Sequence, residues 1–213
     1  MTRILLVRHG ESTANLHNIF AGHYNPELTE LGHRQAECTG RFVLENYRVN
    51  AVYSSDLHRA YDTARHFADM AGLSVTTNQQ LREIYAGEWE EKTFTEVEET
   101  YTEDWNRWRA DPASAVCTGG ESVRQLADRV FAALQEIAKN HENQTVLVAT
   151  HATPIKVTMW QIMGGEPETI KNLAWVSNAS VTELHWDGSR FSLEKISQDS
   201  HLAEMRTVLN INI

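Results

Sequence analysis

The chain has 213 residues, 41% hydrophobic and 23% charged, enough to bury roughly 70% of the surface its unfolded form exposes without a disulfide or metal staple. That balance is globular and excludes a disordered chain, a collagen and a coiled coil. Lys plus Arg total 19 against 29 for Asp plus Glu, a formal net charge of −10, which disfavours nucleic acid and anionic membrane as partners because both need a positive field. In chain order, Ile4 to Val7 is a short continuous apolar run, as in a strand buried on both faces. Leu31 to Glu45 reads as a helix with Thr29 as N-cap. Ala51 to Ser54 is a second short strand. Leu57, Ala60, Tyr61, Ala64, Phe67, Ala68 and Ala71 then recur at helical spacing, with Ser55 or Asp56 to cap the helix.

Ser74 to Thr77 reads as a third strand. Residues 88–118 are acidic and rich in Trp and Thr, with short helices over Glu96 to Tyr101 and Asp104 to Ala110, and read as a lid-like insertion over the core. Ser122 and Gln125 form a capping-box pattern ahead of the strongest apolar stripe, Val123 to Ala138. Val146 to Ala149 is another buried strand, and Thr153 and Pro154 look like N-cap and N1 of the next helix. Ser180 to Trp186 and Arg190 to Ile196 form a terminal hairpin through Asp187-Gly188. The alternation predicts an α/β fold, a three-layer α/β/α sandwich with a mostly parallel central sheet and an antiparallel edge, in one domain over residues 1–213.

Two isolated thiols, Cys38 and Cys117, give neither a disulfide framework nor a zinc spacing. They read as one buried small hydrophobe and one loop thiol. The apolar stretch before Arg8 is too short for a signal peptide, and no run approaches the ~18 apolar residues of a membrane span. A cytoplasmic location is the expectation. The oligomeric state is left open, a homodimer included.

In such sheets ligands bind beyond the carboxyl ends of the strands. Arg8, His9 and Gly10 follow the first strand. Ser54, Ser55, Asp56 and Arg59 follow the second, and His151 follows the Val146–Ala149 strand. Each alone says little in a chain with 10 histidines. Together they bring two arginines and two histidines to one edge, beside helix N-termini that favour anions. That is a phosphate or carboxylate site inside an acidic protein. No HExxH, Cys/His cluster, P-loop or nucleophile elbow is present, so no metal or cofactor is expected.

At these residues the sequence resembles the histidine phosphatase superfamily, also called phosphoglycerate-mutase-like. The resemblance rests on LLVRHGESTAN (5–15), GHYNPELTELGHRQA (22–36), SSDLHRAYDTA (54–64), LREIYAGEWEE (81–91), GGESV (119–123), ATHATPIKV (149–157) and NASVTEL (178–184), in family order. It implies that His9 is a nucleophile forming a phosphohistidine, and that Arg8, Arg59 and His151 hold the phosphoryl oxygens. His151 is then expected to work protonated while His9 offers a free nitrogen. Asn15 matches a family phosphate contact, and Ala21 and Gly22 match a substrate-binding loop. Glu83 matches the family's proton donor, and Glu11 reads as supporting structure. The implied partner is a small phosphorylated substrate.

Three positions depart from the family pattern. Ala152 follows the second histidine where glycine is usual, Glu91 stands in the usual Trp-Glu-Gly, and His23-Tyr24-Asn25 replaces the usual aspartate before Pro26. Three functions fit the motifs. A phosphatase passes the phosphoryl group from His9 to water. A mutase returns it to substrate and needs a basic lid, whereas residues 88–118 hold only Lys92, Arg107 and Arg109 against nine acids. A non-catalytic binder would normally have lost His9 or Glu83. The phosphatase is the reading the lid and the Leu-Arg-Glu-Ile wording favour. Specificity is expected from His17, Phe20, His23 and Tyr24, and from Trp89, Trp105 and Trp108. For Trp105 and Trp108, lid packing is the simpler role.

Overall fold

The computed structural model describes residues 1–207; residues 208–213 of the expected domain lie outside the described residues. Strand β1 (Thr2–Arg8) leads into a short helix, α1 (Thr13–Leu16), and then α2 (Glu30–Asn46). Thr29 caps α2 as predicted, its hydroxyl accepting from the Gly32 N–H. β2 (Ala51–Ser54) and α3 (His58–Ala71) follow, then β3 (Val75–Thr77). Residues 88–118 carry α4 (Phe94–Thr100) and α5 (Thr102–Ala110), and α6 (Val123–Asn140) starts at the predicted Ser122/Gln125 capping box. β4 (Thr145–Thr150), α7 (Ala152–Ile162), α8 (Pro167–Asn172), β5 (Val181–Trp186) and β6 (Phe191–Gln198) complete the order.

The sheet runs β3-β2-β4-β1-β5-β6. Its first four strands are parallel; β5 pairs antiparallel with β1, and β6 with β5. The predicted sandwich is thus the observed one. Alternating side chains of the sheet feed two cores. Leu5, Val7, Val52 and Leu147 pack with Val43, Ala64 and Phe67 of α2 and α3. Ile4, Leu6, Val146 and Val148 face α6 and α7, and the same core takes in Trp89, Trp105 and Trp108. Trp105 and Trp108 therefore pack residues 88–118 onto the core, as the packing reading expected, and Trp89 does the same, at a gain of about 1.5–3 kcal/mol for each large side chain buried.

Two predicted caps are placed differently. Helix α3 begins at His58 behind Leu57, which offers no side-chain cap. Asn25 takes that role from another loop, its Oδ1 accepting from the His58 N–H at 2.8 Å. Ser55 and Asp56 are engaged elsewhere, the latter in a bidentate pair with Arg82. Helix α7 is capped by His151 rather than Thr153, and Thr153 and Pro154 lie in its first turn. Proline is tolerated there because first-turn N–H groups have no helical acceptor. Of the two thiols, Cys117 in a loop is the buried one, and Cys38 lies half-buried on α2, donating to the His201 carbonyl at 3.1 Å.

Candidate active site

Strand register explains why distant segments meet. Arg8 pairs with Thr150 across β1 and β4, and Ser54 with Ala149 across β2 and β4. The residues that follow, His9, His151 and Ser55, therefore emerge side by side at the carboxyl edge. The His9 and His151 rings lie 5.2 Å apart, edge to face. Close backbone approach is required beneath them: a Cβ on Gly10 would meet the Gly32 carbonyl oxygen at 2.4 Å.

His9 Nδ1 lies 2.7 Å from the Gly10 carbonyl oxygen. A carbonyl only accepts, so Nδ1 carries the hydrogen and Nε2 keeps its lone pair. Burial, and then the charges of Arg59 and Arg8, hold the His9 pKa well below its usual value, so the ring is neutral. Arg8 donates to the Val176 carbonyl at 2.6 Å, and Arg59 to the Tyr24 and Gly22 carbonyls at 3.0 and 2.9 Å. Both guanidinium groups are buried, and both keep an Nε with no hydrogen-bond partner among the described residues. Burial lowers each to about 10, although the Glu83 charge opposes the shift.

His151 is fully buried, and burial followed by the Arg59 charge pushes it well below the usual range. The protonated His151 expected from the family pattern is thus not what this environment favours. The geometry offers another donor. Ser55 Oγ accepts from the Leu57 N–H at 3.3 Å and lies 2.8 Å from His151 Nε2, so its own hydrogen is available to Nε2. With Ser55 as the donor, the imidazole hydrogen sits on Nδ1, a buried atom with no hydrogen-bond partner among the described residues. A neutral His151 can then still donate.

Glu83 lines the same pocket. Its Oε1 accepts from the Ile84 N–H at 2.8 Å, and its Oε2 lies 3.4 Å from the Thr153 N–H at the start of α7. Asn15 Oδ1 closes the α1 capping box with Ser12 and accepts from Asn178 Nδ2 at 3.1 Å. Gly22 holds φ at 51°, and a Cβ there would sit 2.5 Å from Glu90 Oε1, so only glycine fits. The pocket has a volume of about 570 Å³ including its open mouth, and Arg8, His9, Asn15, Ala21, Gly22, Arg59 and Glu83 all line it. His151 is not among the residues that line the pocket, and its ring packs edge to face against that of His9. Glu11 holds structure, its carboxylate accepting from the Thr29 hydroxyl at 2.8 Å.

Of the residues expected to set specificity, only Phe20 and Trp108 reach the pocket wall, where Ile19, Phe94 and Trp175 join them. His17 is exposed, and Trp89 and Trp105 are core. His23 points to the Glu83 backbone, with Nε2 2.9 Å from its carbonyl oxygen. Tyr24 is outside the wall and supplies only its carbonyl to Arg59.

Several supports were not legible in the sequence. Arg129 donates to the carbonyls of Gln80, Arg82 and Glu83 at 2.8 to 2.9 Å and pairs with Glu121 at 2.9 Å. Glu121 lies in the GGESV block, which was its only signal. Glu90 accepts from the N–H groups of His23 and Tyr24 and so shapes the loop that reaches Arg59. Glu91 beside it has φ 65°, the conformation that the usual glycine adopts without strain. Among the described residues, no group of three or more His, Cys, Asp or Glu side chains is placed to hold a metal ion, and no helix is long and apolar enough to cross a membrane.

Comparison with known proteins matches this geometry to a family. Residues 4–199 match the model of the histidine phosphatase superfamily, branch 1. Phosphoserine phosphatase 1 of Hydrogenobacter thermophilus is 33% identical over 204 residues, covering 96% of each chain. A metal-independent phosphoserine phosphatase of Arabidopsis thaliana is 32% identical over 207 residues, covering 96% of this chain and 85% of the relative. The structure of a mycobacterial glucosyl-3-phosphoglycerate phosphatase in complex with VO3 superposes with a TM-score of 0.85 at 27% identity, over 92% of this chain and 98% of the other. The chain belongs to the histidine phosphatase superfamily, branch 1, and is a phosphatase, a phosphoric monoester hydrolase.

Proposed function

We propose that the protein hydrolyses a small phosphomonoester through a phosphohistidine on His9, with no metal ion taking part. The observation that carries this is the neutral His9 ring, its Nδ1 tied to Gly10 and its other nitrogen free, between two buried arginines with unpartnered Nε atoms. His9 Nε2 attacks phosphorus as the ester P–O bond breaks, and Glu83 gives its proton to the departing oxygen. Water then attacks the phosphohistidine and returns a proton to Glu83; the N–P bond breaks and phosphate leaves. Arg8 and Arg59 take non-bridging oxygens, and His151 Nδ1–H adds a third donor where charge develops. Asn15 steadies this edge of the pocket, and Ala21 and Gly22 form the wall beside the phosphoryl group.

The reading treats the chain as one domain with residues 88–118 as its lid. It also includes a cytoplasmic location, which two thiols outside any disulfide suit. Phosphoserine is the first substrate to try, because two relatives are named for it. The test is phosphate release in EDTA from phosphoserine, p-nitrophenyl phosphate and other phosphomonoesters, with His9→Ala alongside. Release that disappears in the variant is expected. Release that persists in the variant, or that EDTA abolishes, would overturn the mechanism.

A further inference from the structure

Lys156 lies on α7 one turn beyond Thr153, on the same side of the helix. It is only 5% exposed, yet it forms no ion pair and no hydrogen bond with any described residue. Its one close partner is the Trp175 ring, with Nζ 4.1 Å from the centroid. A cation–π contact of this kind holds an ammonium group without neutralising it. Burial lowers its pKa to about 8, and no carboxylate among the described residues offsets the shift. A buried lysine left without a counter-ion is costly.

The place of this lysine gives it a use. It lines a second cavity, of about 360 Å³ including its mouth, bounded also by Trp108, Thr153, Ile170 and Trp175. Trp108, Thr153 and Trp175 line the phosphate pocket as well, so the two spaces share a wall. Along α7, Lys156 is roughly 6 Å from Ala152 at the phosphate end. Nζ sits over the Trp175 ring, which lines both spaces. Lys171 at the rim adds positive charge, Arg109 there is paired with Glu98 at 3.5 Å, and no acid among the described residues lines the cavity.

We infer that Lys156 forms an anion subsite for the leaving group, so that the preferred substrates are phosphomonoesters carrying a carboxylate a few bonds from the phosphate ester. The inference rests on the phosphatase reading above and adds what lies beyond the phosphoryl group. Phosphoserine and glucosyl-3-phosphoglycerate, the substrates in the names of the relatives, both carry such a carboxylate.

The test uses pairs of ligands that differ in that one group: phosphoserine against phosphoethanolamine, and 3-phosphoglycerate against glycerol 3-phosphate. Dissociation constants are measured by titration calorimetry on the full chain carrying His9→Ala, which removes turnover, with and without Lys156→Met or Lys156→Arg. The His9→Ala protein is expected to bind the carboxylated member of each pair about 10- to 100-fold more tightly, the range of a charge-assisted contact. Lys156→Met should reduce that ratio at least tenfold, and Lys156→Arg should keep most of it. The ratio is internal to each preparation, so partial unfolding of a variant does not imitate the effect. Equal affinity within each pair, or a ratio that Lys156→Met leaves intact, overturns the subsite. Failure of the parent reading is seen separately, as phosphate release that does not depend on His9.

Discussion

Arg129→Met tests whether Glu83 is held by its backbone rather than by its side chain. In the native protein the Arg129 guanidinium joins α6 to the carbonyls of Gln80, Arg82 and Glu83, and Glu121 balances its charge. Methionine keeps most of the volume and removes every donor. The Gln80 carbonyl faces solvent and rehydrates, so its loss costs little. The Arg82 and Glu83 carbonyls are partly buried and lose a charged donor, about 1 kcal/mol or slightly more apiece. Glu121, 15% exposed at its side chain, retains the Tyr85 N–H but no cation, which adds about 1 kcal/mol. The sum is about 3 kcal/mol, or roughly 6–12 °C in Tm for a chain of this size. A displacement of Glu83 by even about 1 Å lowers kcat on the order of 100-fold. His23 still donates to the Glu83 carbonyl, so activity should fall rather than vanish. Calorimetry and phosphate release on one preparation read both effects. A variant that melts within about 2 °C of the native protein with kcat within about twofold would refute the anchoring argument.

The pH dependence has a defined sign. His9 and His151 are held below their ordinary pKa, while the unfolded chain takes up those protons near pH 6.5. Stability is therefore fully present above about pH 6.5 and declines as pH falls below it. Tm measured from pH 7.5 to 5.5 should drop, and the His9→Asn, His151→Asn double variant should flatten the slope; an unchanged slope would place the titration elsewhere. For the same reason the acid limb of kcat/KM assigned to His9 should lie well below 6.5, once the substrate's own ionisation near 6 is divided out. A limb at 6.5 would mean the ring is not shielded. Cys38→Ser and Cys117→Ser should both leave turnover intact. The second places a hydroxyl among apolar side chains, at about 1–3 kcal/mol in a urea melt. A folded but inactive Cys117→Ser protein would make that thiol part of the chemistry.

What the sequence revealed depended on how local the determining physics was. β2 was read to its ends because Ala51 to Ser54 is a short run with a polar residue just beyond. The capping box at Ser122 likewise closes within three residues, whereas the one at Ser12 was not read. The N-caps of α3 and α7 were misplaced because the groups meeting those N–H donors come from afar, Asn25 in one case and the Glu83 carboxylate in the other. Arg8, His9, Arg59 and His151 were legible because a parallel sheet sends its strand ends to one edge. Glu83 was visible only through family resemblance, since its position depends on Arg129, Glu121 and Thr150, which lie far along the chain. Lys156 gave no signal, because its lack of a partner is a property of the packed interior.

The distribution of paired and unpaired cations ties these observations to function. Several arginines outside the pocket lining are balanced: Arg82 with Asp56, Arg129 with Glu121, Arg3 with Glu183. Along the cleft the pattern differs. Arg8, Arg59 and Lys156 are each more than nine-tenths buried, and none has an ion-pair partner among the described residues. In a chain with a net charge of −10, acids to pair with them are plentiful, so their isolation reflects placement. Backbone carbonyls of Val176, Gly22 and Tyr24 and the Trp175 ring orient these cations without neutralising them. Such an arrangement weakens the fold locally, because desolvated charge is only partly compensated by dipoles. The same deficit makes a bound anion the missing counter-ion. Arg8 at the end of β1, Arg59 in the first turn of α3 and Lys156 one turn into α7 are the cations that the proposed substrate, a phosphate with a second negative group beside it, would pair with.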